Sequence, residues 1–244
     1  MTQGGITRVA ALFAICALAT GARADATYLE RKVTTAEVFG AEQAAKLAHT
    51  LPVDRAVNFR LRLPDRAAAD APSGVVVFIK PTDDGTFPES WRGVFDARNL
   101  VWISPDDFGN DKLTAQRMLV AIMASQLAGE IAKVDDARVF VAGMSGGGRV
   151  ASQTITHSPE LFAGAVYIVG ADLPKEPVKP LVFERRFVFI TGREDFNRGE
   201  MRRVFARYGK LGAAHAKLMD LPHLGHDYPS AEEFGQAIDF LDAK

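Results

Sequence analysis

The sequence predicts an α/β fold in which helices cover both faces of a mostly parallel sheet. Continuous apolar runs at 74–79 and 100–104 are typical of strands that are buried on both faces. Helical patterns alternate with these runs along the chain, as they do in βαβ crossovers. A further apolar run at 139–143 ends in glycine and leads directly into a helical pattern. Together these observations favour a parallel sheet over an all-helical or all-β architecture.

The remaining elements follow in a regular order. Residues 25–50 are expected to form an amphipathic lead-in, and 57–63 alternates apolar and polar side chains like a half-buried strand near a sheet edge. Apolar residues in 113–132 fall close to one helical stripe, which predicts a helix packed on the sheet. Strands are also expected at 162–169, 187–191 and 216–221, and helices at 41–49, 147–157, 198–211 and 231–241.

The N-terminal 24 residues have the features of an export signal. Arg8 precedes an apolar stretch at 9–18 that is too short to span a bilayer, and residues 22–24 read Ala-Arg-Ala, a small-residue cleavage site. An uncleaved membrane anchor is the alternative. We expect a signal peptide at 1–24, a single α/β domain at 25–244, and a periplasmic or secreted protein without a membrane segment in its mature form.

Composition excludes several classes of function. The formal charge of −1 over 244 residues gives no basic excess for nucleic acid, and no block of like charges suggests a binding tail. Cys16 is the single cysteine and lies in the predicted signal, so the mature chain has neither a disulfide nor a cysteine nucleophile. Small or polymeric neutral substrates fit this composition better.

The glycine-rich turn at the end of the run 139–143 is the main functional signal. Gly143, Ser145 and Gly147 fit the pattern G-x-S-x-G between a predicted strand and a predicted helix, which is the context of a nucleophile elbow. Flanking Cβ atoms would collide in so tight a turn, and glycine tolerates a positive φ there. Ser145 is the candidate nucleophile, although a flexible glycine loop could match the pattern by chance.

A serine nucleophile needs an orienting acid, which this strand-turn-helix arrangement supplies from a later strand end. Asp195 lies just beyond the apolar strand 187–191, after a turn at Gly192. Glu194 and Asp172 are rival acids, because they also follow predicted strands. We favour Asp195, since it is the residue positioned past the turn.

The general base is expected in the loop before the last helix, where a histidine can reach back over the serine. His226 follows Gly225 in that loop, and His223 is its rival. A metal site built from these two histidines and Asp227 is disfavoured, because there is no H-E-x-x-H pattern and no evident distant ligand. The other three histidines are more simply explained by local structure: His49, His157 and His215.

From about residue 74 to 241 the chain resembles an α/β-hydrolase, and within that fold the secreted polyhydroxybutyrate-depolymerase and feruloyl-esterase-like group. The likeness lies in the stretches 134–148, 162–165, 191–195 and 225–226, which read VDDARVFVAGMSGGG, FAGA, TGRED and GH. The resemblance implies a catalytic triad of Ser145, Asp195 and His226. It is specific for the fold and the triad and weak for the substrate.

The sequence departs from this family after the predicted strand 74–79. Many relatives carry His-Gly there, followed by a residue whose backbone N–H completes the oxyanion hole, whereas this chain reads Lys80-Pro81-Thr82. Pro81 has no N–H to donate. The resemblance therefore implies Thr82 and Gly146 as the oxyanion donors, in a loop whose competence the departure puts in question.

The resulting expectation is an exported serine hydrolase that cleaves carboxylic esters through an acyl-enzyme and needs no cofactor. A peptidase or acyltransferase on the same triad is one alternative, and a catalytically silent binding protein with the same fold is another. The interval 171–185 is too short for a multi-helix cap, so we expect an open site. The acyl group, the alcohol and the oligomeric state do not follow from the sequence.

Overall fold

A computed structural model describes residues 27–65, 71–174 and 177–243. The strands are β1 (Tyr28–Val33), β2 (Val57–Arg62), β3 (Ser73–Ile79), β4 (Leu100–Pro105), β5 (Val134–Met144), β6 (Gly164–Ile168), β7 (Arg186–Gly192) and β8 (His215–Leu221). The α-helices are α1 (Thr35–Phe39), α2 (Ala41–Leu47), α3 (Arg92–Ala97), α4 (Thr114–Ile131), α5 (Gly146–His157), α6 (Arg198–Lys210) and α7 (Ala231–Asp242).

All these strands belong to one eight-stranded sheet in the order β1-β2-β4-β3-β5-β6-β7-β8. β2 pairs antiparallel with both β1 and β4, and every other neighbouring pair is parallel. The carboxyl ends of β3 to β8 therefore lie along one edge of the sheet. Ligands of open α/β sheets bind at such an edge.

Side chains of each central strand point alternately into two apolar layers. On β3, Val75, Val77 and Ile79 belong to the layer that packs against α4, α5 and α6, whereas Val76 and Phe78 belong to the layer under α3 and α7. This double burial explains why β3 is a continuous apolar run in the sequence.

Aromatic rings dominate the layer beneath α3 and α7. Trp91 stacks on Phe234 of α7 with ring centroids 3.8 Å apart, and its indole N–H donates to the Pro229 carbonyl at 3.1 Å. Trp102 stacks on Phe78 at 4.5 Å. Because Pro229 lies just before α7, Trp91 anchors both the last helix and the loop that leads into it.

The lead-in differs from the prediction. Residues 28–33, expected as part of an amphipathic lead-in, form the edge strand β1, whereas β2 is the second strand of the sheet and so lies near its edge as expected. β1 reads Tyr-Leu-Glu-Arg-Lys-Val and is exposed along most of its length. Charged side chains are typical of an edge strand, because they discourage pairing with other molecules. They also leave β1 without the apolar pattern by which a strand is predicted from sequence.

The described part of the connection between β6 and β7 contains one short 3₁₀ helix, Pro180–Glu184, and no α-helix. The fold there agrees with the expectation of an uncapped site. In the described residues no helix is long and apolar enough to cross a membrane. The predicted signal peptide and Cys16 lie outside the described residues.

Candidate active site

Ser145 occupies a sharp turn between β5 and α5. Its φ of 54° and ψ of −120° reverse the chain within one residue, and its N–H donates to the Ile168 carbonyl at 2.8 Å. Non-glycine residues rarely take this positive φ, and such strain is concentrated at functional sites. The turn directs Ser145 away from the sheet, at the amino end of α5.

The glycines around Ser145 allow close approach of backbones rather than a positive φ, which falls on the serine itself. A Cβ on Gly147 would collide with the Ile79 carbonyl at the end of β3, and one on Gly143 would collide with the backbone of Gly147. The elbow therefore packs directly against the end of β3. The expectation that these glycines supply a positive φ is therefore wrong, and close backbone approach is the reason for them.

His226 links Ser145 to Asp195. Its Nε2 is 2.8 Å from Ser145 Oγ, and its Nδ1 is 2.9 Å from Asp195 Oδ1. A carboxylate oxygen accepts hydrogen bonds, so the proton of the neutral ring belongs on Nδ1, which leaves the Nε2 lone pair facing the serine hydroxyl. The three residues named from the sequence thus lie in one hydrogen-bonded line.

Asp195 is held by two donors that sequence reasoning missed. Thr191 Oγ1 donates to Asp195 Oδ2 at 2.6 Å, and the Asn197 N–H donates to Oδ1 at 2.9 Å. Asn197 also donates its Nδ2 to the Val169 carbonyl at 2.8 Å, which ties this loop to the end of β6. The Asp195 side chain is fully buried. These bonds fix the carboxylate that orients His226.

The loop that carries His226 is braced on both sides. The Glu194 N–H donates to the Leu224 carbonyl at 3.2 Å, and Gly192 lies so close to Leu224 that a Cβ would collide with that carbonyl. At the other end, Ser230 caps α7 by accepting from the Glu233 N–H. His226 therefore sits between two fixed points, with its side chain 22% exposed.

The rival acids Glu194 and Asp172 and the rival base His223 lie outside this line of hydrogen bonds. Glu194 is exposed at its side chain, and Asp172 interacts with Gln153 and with Arg149, 3.6 Å away. His223 Nε2 is 3.1 Å from Glu233 at the start of α7. None of these three contacts Ser145 or His226 through a hydrogen bond among the described residues.

The remaining histidines lie away from the triad. His157 Nδ1 donates to the Gln153 carbonyl at 2.8 Å, at the end of α5, and His215 begins β8. His49 follows α2. Within the described ranges no group of three or more histidine, cysteine or acidic side chains is arranged to hold a metal ion.

The predicted oxyanion donors belong to elements that meet at the elbow. Gly146 is the first residue of α5, where an N–H has no acceptor within the helix. Thr82 follows β3, and no described residue accepts a hydrogen bond from its N–H. The end of β3 touches Gly147. Both N–H groups are therefore available, and their joint role stays a prediction.

A network of polar bonds shapes the loop that carries Thr82. Lys80 Nζ and Thr82 Oγ1 donate to the Asp84 carboxylate at 2.6 and 2.7 Å. Burial alone would raise the pKa of Asp84, but these bonds outweigh it and lower that pKa to about 2. The carboxylate therefore stays ionised down to strongly acid pH. The folded-state pKa lies below the 3.8 of an ordinary aspartate, so the stability that the Asp84 carboxylate contributes is complete above that pH and is lost as the pH falls through about 2.

Solved structures with the same topology decide the fold. A thermostable esterase has a TM-score of 0.62 at 15% identity, over 88% of this chain and 62% of that one. The fold is the α/β-hydrolase fold. A fluorophosphonate-binding serine hydrolase of Staphylococcus aureus gives 0.62 at 12% identity, over 89% of this chain and 98% of that one. A putative dienelactone hydrolase of Klebsiella pneumoniae gives 0.60 at 12%, over 88% and 98%.

These identities are low, so the likeness establishes the α/β-hydrolase fold and not an activity. No protein-family model matches the sequence, and no curated protein sequence matches it. The fold class predicted from the sequence is confirmed. The chemistry has to be argued from the site.

Phe196 adds an aromatic surface to the candidate site. Its ring stacks on the His226 imidazole with centroids 3.9 Å apart and an interplanar angle of 25°. Phe196 is nevertheless 77% exposed, and it directly follows Asp195. A large exposed aromatic residue in contact with His226 offers both a support for the imidazole and an apolar surface for a ligand.

Proposed function

We propose that the protein is an exported serine hydrolase that cleaves carboxylic esters through an acyl-enzyme intermediate. The observation that carries the proposal is the line of hydrogen bonds from Asp195 through His226 to Ser145, with 2.9 and 2.8 Å at its two steps. A nucleophile, a base and a group that orients the base are the minimum that acyl transfer by serine requires. No cofactor takes part in this chemistry.

In the acylation step, Ser145 Oγ attacks the ester carbonyl carbon while its proton passes to His226 Nε2. The imidazolium is stabilised by Asp195, which accepts the Nδ1 proton in a hydrogen bond without taking it. The carbonyl oxygen becomes an oxyanion at the amino end of α5, where the Gly146 and Thr82 N–H groups are proposed to donate to it. Collapse breaks the bond to the alkoxide, which leaves with the proton from Nε2.

In the deacylation step, water enters where the alcohol was. His226 Nε2 removes one proton from this water, and the resulting hydroxide attacks the acyl carbon. The second oxyanion collapses and breaks the bond to Ser145 Oγ, which takes the proton back from His226 Nε2. The base must therefore start each step as the neutral imidazole.

The surroundings of the triad support an accessible site with apolar contacts. Leu113, Leu173 and Phe196 are exposed by 70, 53 and 77%, on the loops that follow β4, β6 and β7 at the carboxyl edge of the sheet. Such a surface favours short acyl groups, or the side of a bulky or polymeric ester, over a long alkyl chain in a tunnel.

A series of 4-nitrophenyl esters tests this reading. Each methylene contributes about 0.8 kcal/mol to binding only where it leaves water, so kcat/KM is expected to level off or fall between butanoate and octanoate. Cleavage of a polymeric ester is measured in parallel, as the release of soluble acid from an insoluble polyester film. Efficiency that keeps rising beyond octanoate, or activation at an oil-water interface, would contradict the open site.

Assays with a peptide amide and with an added alcohol separate the alternatives. Hydrolysis of a peptide amide with no ester cleavage would favour a peptidase, and acyl transfer to an added alcohol ahead of water would favour an acyltransferase. No turnover of any substrate by the folded protein would favour a binding protein that keeps the fold.

Replacing Phe196 by alanine is expected to lower kcat/KM for 4-nitrophenyl acetate by about two- to ten-fold. The stack on His226 is lost, and aromatic pairs of this kind contribute about 0.5–1.5 kcal/mol. Phe196→Trp retains an aromatic surface and is the matched control, with activity expected to stay near that of the wild type. Equal rates for the alanine and tryptophan variants would show that the stack does not support the base.

A further inference from the structure

The side chain of Asn110 fills the space next to the elbow that a side chain at position 146 would occupy. A Cβ on Gly146 would collide with Asn110 Oδ1 and would lie 3.0 Å from Nδ2. Asn110 comes from the loop after β4, and its own N–H donates to the Pro81 carbonyl at 2.9 Å. Its amide therefore lies between the loop of Thr82 and the residue that follows the nucleophile.

Arg117 determines which way this amide faces. Arg117 Nη1 donates to Asn110 Oδ1 at 3.1 Å, and Nη2 donates to the Lys80 carbonyl at 2.8 Å. A guanidinium can only donate, so the atom that faces it must be the amide oxygen. The Arg117 side chain is buried, 5% exposed, on the first turn of α4. The amide is thus held in one orientation from inside the protein.

The Asn110 Nδ2 group takes no part in the bond to Arg117. It has two N–H donors, and no described residue accepts from them. Asn110 is exposed, and its Nδ2 lies beside Gly146, 3.0 Å from the position that a Cβ on that residue would take. The Gly146 N–H, a proposed oxyanion donor, belongs to the residue against which the amide packs.

We propose that Asn110 is a third oxyanion donor, which uses Nδ2 to stabilise the charge that develops on the ester carbonyl oxygen, and that Arg117 is the positioning residue that presents it. The proposal rests on the serine hydrolase function proposed above. It also bears on the departure at Pro81, because a side-chain donor supplements the one N–H that this loop offers. The donor acts on the oxyanion, so its effect belongs to the transition state rather than to substrate binding.

The test compares Asn110→Ala and Asn110→Asp with the wild type, using 4-nitrophenyl acetate and an alkyl trifluoromethyl ketone. The ketone forms a hemiketal with Ser145 whose oxyanion mimics the transition state. Loss of one such donor typically costs ~10²–10³ in turnover, and with two backbone donors remaining we expect Asn110→Ala to lower kcat at least about ten-fold. KM should change by less than about three-fold, and the Ki of the ketone should rise by the factor by which kcat falls.

The aspartate variant makes the test sharper. Asn110→Asp retains an oxygen for Arg117 but places a carboxylate oxygen where the donor was, so its loss of kcat should exceed that of the alanine variant. Arg117→Met should lower kcat in the same direction, and combining it with Asn110→Ala should lower kcat no further than Asn110→Ala alone. Such non-additivity is expected when one residue acts through the other.

Asn58→Ala is the matched control. Asn58 Nδ2 donates to Asp106 at 2.7 Å, so this amide also braces the loop after β4, but at its far end. Its loss should leave kcat within about two-fold. Wild-type-like kcat and Ki in both Asn110 variants would overturn the inference alone, as would equal losses in Asn58→Ala. A wild type that is inert to both the ester and the ketone would overturn the proposed function and the inference with it.

Discussion

Alanine in place of Ser145 is expected to leave a folded protein whose kcat for 4-nitrophenyl acetate is lower by about 10⁴-fold or more. Removing the nucleophile of a serine triad has effects of this size, because the remaining groups have nothing to activate. Folding should be retained, since Oγ projects from the turn towards His226 and fills no core space. Alanine at a φ of 54° carries much the same backbone strain as serine. Steady-state kinetics and a thermal melt of each variant measure the two effects.

Ser90→Ala is the matched control for this variant. Ser90 is an exposed serine in the 3₁₀ turn Glu89–Trp91, away from the elbow. The activity of Ser90→Ala should equal that of the wild type. Retention of more than a per cent of kcat by a pure Ser145→Ala preparation would exclude Ser145 as the nucleophile and, with it, the mechanism.

Replacing Asp195 by asparagine is expected to lower kcat by about 10³–10⁴-fold, the size that the same change has in other serine triads. The wild-type carboxylate accepts from Thr191, from the Asn197 N–H and from His226 Nδ1. An amide has one oxygen for these three donors, and where its NH₂ takes the place of Oδ1 it faces His226 Nδ1, which must then accept and leave the ring proton on Nε2. The Nε2 lone pair would then no longer face Ser145.

Glu194→Gln is the matched control, because it makes the same chemical change one residue earlier on an exposed side chain. It should leave kcat within about two-fold of the wild type. A larger loss in Glu194→Gln than in Asp195→Asn would reassign the acid. Similar small effects in both would mean that His226 is oriented by its ring stack and loop alone.

The central sheet and the triad could be predicted because their signals are local. Strands such as β3 are buried on both faces and therefore apolar throughout, and the elbow needs glycines where backbones touch. Asp195 and His226 follow strand ends, so the topology brings them to Ser145. The edge strand β1 could not be predicted in this way, because its identity depends on pairing with β2 and its side chains are mostly charged.

The residues that contact the triad are harder to recognise from the sequence. Thr191 looks like the last residue of a strand, and its bond to Asp195 appears only when the turn at Gly192 closes. Asn110 is 36 residues from Gly146 in the chain, and its position depends on the missing side chain there and on Arg117. The sequence pattern does not indicate that Phe196 contacts His226, because the two residues lie on separate loops.

Identification of the residue that a fluorophosphonate modifies tests the account most directly. A serine oxygen activated by His226 attacks phosphorus and displaces fluoride, and the phosphonyl group stays on that oxygen. Trypsin should cut after Arg138 and Arg149 and release the peptide 139–149, in which Ser145 is the one serine. We expect mass spectrometry to find the adduct on this peptide in the wild type and on no peptide in Ser145→Ala. An adduct elsewhere, or equal labelling of the two proteins, would contradict the assignment of Ser145 as the nucleophile.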